Sequence, residues 1–91
     1  MKEILTCNVW TGLKIKMVID RETGEFVLLH SRFRLNIQDN KASLMECDGG
    51  FMILTGYLRD GVWCFEEFDF VRKAEDPYVA AIQILYDIMQ Y

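Results

Sequence analysis

The stretch MILTGYLRDGVWCF, residues 52–65, contains the clearest hairpin in the chain. Asp60-Gly61 is a strong signal for a two-residue type I′ turn, whose central residues both take positive φ. That turn sets Leu58 opposite Trp63 and Gly56 opposite Phe65. Beyond Phe65, strict alternation would bury Glu66 among Val62, Cys64, Phe68 and Phe70, which is costly for an unpaired carboxylate. A bulge at Glu66-Glu67 removes the conflict. It predicts Trp63, Phe65, Phe68 and Phe70 on a core face shared with Leu58, Gly56, Leu54 and Met52, with Glu66, Glu67 and Asp69 pointing away.

Upstream, Asp48-Gly49-Gly50 reads as a turn. A phosphate cradle would need backbone N–H groups at the start of a helix, whereas Phe51-Met52-Ile53-Leu54 reads as a strand. Asp39-Asn40 makes a second two-residue turn that places Leu35 opposite Leu44 and Ile37 opposite Ala42. Leu13, Ile15, Met17 and Ile19 alternate with Lys14, Lys16 and Val18, the period of a strand with one buried face. The loop from Asp20 to Glu25, with Gly24 left-handed, sets Ile19 opposite Phe26 and Met17 opposite Leu28. Phe33, Leu35 and Ile37 have the opposite parity to Phe26 and Leu28, so the strand is expected to break or bulge near His30-Ser31-Arg32. Ile4 to Trp10, ending at Thr11-Gly12, supplies a first strand.

Downstream, Asp76 is placed to cap a helix whose first position is Pro77 and which runs to about Gln90. At 100° per residue Asp76, Gln83, Asp87 and Gln90 form one narrow polar stripe, and apolar residues cover most of the remainder. Ile84 and Ile88 border that stripe, so they are expected to lie beyond the reach of the chain's own sheet. The whole predicts an α+β fold: a curved antiparallel β-sheet of about six strands, in hairpins, followed by one C-terminal α-helix packed on one face. Ninety-one residues, 52% of them hydrophobic, suit a single domain spanning 1–91.

Cys7, Cys47 and Cys64 are odd in number and embedded in strand-like runs, which points to reduced thiols and a cytoplasmic protein. The first eleven residues carry Lys2 and Glu3 and lack the apolar core of a signal peptide or a spanning helix, so no membrane association is expected. His30 with the three cysteines would make a zinc set, but none of the four lies within fifteen residues of another, against the close pairs of small zinc domains. No metal and no cofactor is expected. Cys47 has no catalytic signature around it, so an enzyme is not expected either.

Charge is unevenly distributed. Residues 1–45 hold seven Lys/Arg against five Asp/Glu, and residues 46–91 hold three against nine, about +2 and −6. An acidic total, −4 for the chain, argues against a nucleic-acid partner and favours a protein partner. Glu46, Asp48, Asp60, Glu66, Glu67 and Asp69 form the expected acidic binding surface, on and around the third hairpin. Phe51, Ile53 and Tyr57, on the face away from Trp63, join Ile84 and Ile88 as the expected self-association surface of a homodimer, with Trp10 and Tyr91 adding apolar area. The function expected is a non-catalytic protein–protein interaction domain, of the kind a phage or mobile element uses as a small acidic inhibitor occupying a surface on a host protein. The alternative is a small-ligand or nucleic-acid-binding module using a basic sheet face of Lys14, Lys16, Arg32 and Arg34.

Overall fold

The computed structural model describes residues 1–90, Met52 by its backbone only, so the expectations for the Met52 side chain and for Tyr91 lie outside the described residues. The chain forms β1 (Lys2–Trp10), β2 (Leu13–Asp20), β3 (Glu25–Leu28), β4 (Ser31–Gln38), β5 (Lys41–Glu46), β6 (Met52–Arg59), β7 (Val62–Glu67), β8 (Phe70–Ala74) and α1 (Pro77–Met89). The strands make one antiparallel meander in chain order. Alternate connections therefore fall at opposite ends of the sheet. One end, the upper rim below, holds the β1–β2, β3–β4, β5–β6 and β7–β8 turns.

The strand count is eight where the sequence suggested about six, and the reason is specific. Both expected bulges are two-residue hairpins. The pair Leu28–Ser31 closes a turn at Leu29-His30, and the pair Glu67–Phe70 closes one at Phe68-Asp69. A two-residue hairpin changes the parity of the core-facing positions just as a bulge does. Leu29 and Phe68 are poor turn residues, which hides the hairpin in the sequence. The consequence for Phe68 is a reversal: it is 77% exposed, not in the core, and Phe70 instead packs partly against the core.

The other turn-set registers match the sequence, except that the expected Met17–Leu28 pair does not form, because β2 and β3 part after Ile19–Phe26. Gly56 pairs with Phe65 and Leu58 with Trp63. Leu35 pairs with Leu44, Ile37 with Ala42, and Ile19 with Phe26. A Cβ on Gly56 would lie 2.6 Å from the fully buried Phe65 ring, so the glycine is there to let the ring cross the neighbouring strand. The inner face of the curled sheet supplies Val9, Ile19, Phe26, Leu35, Leu44 and Phe65, and the helix supplies Ala80, Ala81, Ile82 and Ile84.

The helix begins as expected, with Asp76 as N-cap accepting from the Tyr78 N–H at 3.0 Å and Pro77 in the first turn. Arg21, in the β2–β3 loop, forks onto the same carboxylate at 2.7 and 3.2 Å, donates to Glu3 at 2.6 Å and lies over the Tyr78 ring. These contacts fix where the helix starts. It then runs back along the sheet to the upper rim, where Trp10 meets Tyr86 edge to face.

The expectation that the helix needs a partner is corrected. The sheet curls until β1, β7 and β8 all touch the helix, so Ile84 is completely buried and Ile88 half-buried within the chain itself. Asp87, expected on a solvent stripe, is 5% exposed and faces Arg72 of β8. Ile84 has no surface left for self-association, and Ile88 keeps only part of its own.

Candidate functional site

The hairpin turns separate by their chemistry. Positive φ falls on Gly12, Gly24, Asp39, Gly50, Asp60 and Gly61 in most of them, residues that tolerate it. Two connections depart from this, both at the upper rim: Leu29 (φ 50°) and His30 (φ 70°) close β3–β4, and Phe68 (φ 55°) closes β7–β8. Left-handed backbone is uncommon for a bulky side chain and costs about 1–2 kcal/mol. Burial does not offset that cost here, because Leu29 and Phe68 are both exposed.

The upper rim also collects exposed apolar side chains. Trp10, Leu13, Leu29, Phe51, Phe68 and Met89 are there, whereas the opposite end shows Met1, Ile37 and Tyr57, with Ile4 and Val18 close to it. Phe51 is 71% exposed on the β5–β6 connection. That connection and the β7–β8 turn are two strand spacings apart, about 10 Å, so the two phenylalanines project from neighbouring tips. Glu67 and Asp69 flank Phe68 in sequence, and Asp48 lies near Phe51.

The expected acidic surface is divided among three places. Glu46 turns inward on its loop and accepts from the Asp48 and Gly49 N–H groups at 2.8 and 3.1 Å. Asp48 stands 3.5 Å from Arg32. Asp60 and Glu66 line a groove of about 650 Å³ on the outer face of β6–β8, together with Tyr57, Arg59 and Lys73, so positive charge is interleaved with negative. Glu67 and Asp69 sit at the rim beside Phe68, and Glu46 and Asp48 share the neighbouring tip with Phe51. Ile53, expected on the far face, packs against the core next to a register shift between β5 and β6. Phe51 and Tyr57 remain accessible.

The four residues of the expected basic face do share the outer face, but β3 separates Lys14 and Lys16 of β2 from Arg32 and Arg34 of β4. Arg34 is engaged by Glu25 at 2.8 Å and Arg32 by Asp48. Lys14 and Lys16 form no ion pair among the described residues.

Trp10, Arg72 and Asp87 form a polar cluster that sequence reasoning missed. Burial pushes the Asp87 carboxyl up, and hydrogen bonds from Arg72 and Trp10 more than reverse this, holding it below the ordinary carboxylate range. Asp76 behaves alike, its burial outweighed by Arg21 and the Tyr78 N–H. Both carboxylates are structural. Burial also raises the Cys7 thiol, which lies in the core. Among the described residues His, Cys, Asp and Glu form no group of three that could hold a metal ion, and no helix is long and apolar enough to cross a membrane. Comparison with protein-family models, with curated proteins and with solved structures gives no match to this chain.

Proposed function

We propose that this chain is a non-catalytic, cytoplasmic protein-binding domain whose working surface is the upper rim, with Phe68 and Phe51 as anchors and Glu67 and Asp69 as an acidic border. The observation that carries this reading is Phe68, a large aromatic held at φ 55° and 77% exposed. Such a residue stabilises neither its turn nor the core of the isolated chain. Strained backbone of this kind concentrates at functional positions. Aromatic side chains at the centre of an interface are the usual source of binding energy, and a cationic margin around the receiving pocket would complement the two carboxylates. A homodimer built two-fold on this rim would bring like charges of both copies together, so a foreign protein suits the surface better. The small size and acidic balance fit an inhibitor of phage or mobile-element type that covers a site on a host protein.

The test places a photo-crosslinking benzophenone side chain at Phe68 or Phe51, and at Asp39 or Asp60 on the opposite end as controls, in the native host. Discrete adducts from Phe68 and Phe51 with none from the controls support the rim. Adducts equally frequent at all four positions, or confined to the controls, sink it.

A further inference from the structure

We infer that the open edge of β2, from Leu13 to Met17, is a docking site for an extended acidic peptide segment of a partner, added as a further β-strand. β2 is eight residues long, yet it pairs with β3 only at Ile19–Phe26 and Asp20–Glu25. β3 is only four residues long and turns away at Leu29-His30. Along Leu13–Met17 the side of β2 that faces away from β1 therefore has no main-chain partner among the described residues. Five residues of strand edge, about 17 Å, are enough to template a short added strand.

The free edge of β1 makes an informative contrast. There the Asn8 carbonyl accepts from Gln83 at 2.7 Å and the Val9 carbonyl from Arg72, so side chains of α1 and β8 cap the end of the strand next to the rim. Among the described residues nothing comparable covers Leu13–Met17 of β2.

The side chains define the occupant. On the inner face Leu13 is exposed and Ile15 half-buried, which suits apolar residues at alternate positions of the added strand. On the outer face Lys14 and Lys16 are exposed without an ion pair, and Lys16 continues with Val18, Val27 and Arg32 into a groove of about 610 Å³ where β2 and β3 part. Asp20 and Glu25, which border the groove at its other end, already serve the N-terminal amine and Arg34. Antiparallel pairing of β2 with its own copy would set lysine opposite lysine, and like charges directly opposite are unfavourable. Edge lysines guard against indiscriminate pairing. The same charges select a strand that carries carboxylates. This inference does not depend on the rim, and either can fail alone.

The probe is a blocked hexapeptide alternating glutamate and valine, titrated into the full chain and followed by backbone amide shifts and hydrogen exchange. Saturable binding that slows exchange within residues 13–17 is the expected result. Lys14→Glu with Lys16→Glu should weaken it about tenfold; Lys14→Gln with Lys16→Gln serves if the reversal perturbs the circular dichroism spectrum. The same peptide N-methylated at alternate residues should not bind, because it cannot donate to the strand edge. Four results overturn the proposal: no binding, undiminished binding of the N-methylated or of a lysine–valine peptide, shifts centred on Phe51 and Phe68, or equal displacement by oligothymidylate.

Discussion

Arg72 and Asp87 join the last strand to the helix through a two-pronged ion pair. Nε donates to Oδ2 at 2.7 Å and Nη2 to Oδ1 at 2.9 Å. Nη2 also reaches the Val9 carbonyl of the first strand, and the Trp10 indole donates to Oδ1 at 3.0 Å. The two ends of the meander never pair with each other. This cluster ties them both to the helix that lies between them. Asp87→Asn leaves the guanidinium without its charge partner. With Asp87 almost fully buried and Arg72 partly open to solvent, the expected cost is about 2–3 kcal/mol in urea titration.

Acid should act through the same group and through Asp76. Both carboxyls have folded-state pKa values below their unfolded ones. Their contribution is therefore complete above the unfolded value, about pH 4, and is lost as pH falls through the folded values. Urea midpoints measured from pH 7 down to pH 2 should decline in that window. The Asp87→Asn chain should show a shallower decline.

Gly56→Ala should destabilise by about 1–3 kcal/mol, since the new methyl would meet the Phe65 ring at 2.6 Å in a core that cannot open. Phe65→Leu made in the Gly56→Ala background should cost less than Phe65→Leu alone. A double-mutant cycle by chemical denaturation measures the difference, and simple additivity would show that the ring moves aside freely.

The two misfitting turns can be relieved. Phe68→Asn and Leu29→Asn put a residue tolerant of positive φ at each position, and each should raise stability by up to about 1 kcal/mol, read as a higher thermal midpoint. Phe68→Asn should at the same time abolish crosslink-competent partner binding. A stabilised chain that still binds would separate Phe68 from function.

The structure also revises one measurable expectation for Phe68. An exposed ring leaves no cavity when truncated, so Phe68→Ala should change stability by less than about 1 kcal/mol, whereas Phe65→Ala should cost about 3–5 kcal/mol.

Local chemistry determined much of this fold from the sequence alone. Asp60-Gly61 and Asp39-Asn40 specify their turns, and a turn of two residues fixes register, so Gly56–Phe65 and Leu35–Leu44 could be paired without coordinates. Asp76-Pro77 likewise marked the helix start, because capping depends on adjacent residues. The turns at Leu29-His30 and Phe68-Asp69 were not legible, since their parity signal equals that of a bulge and their residues oppose the conformation they adopt. The helix surroundings were decided by curvature. The polar stripe containing Asp87 has the same periodicity whether it faces water or an arginine, and only the closing of β8 toward β1 brings Arg72 and Trp10 to it. The open edge of β2 is a tertiary fact for the same reason: the sequence of a strand specifies its faces, while the length of its neighbour decides whether its edge is covered.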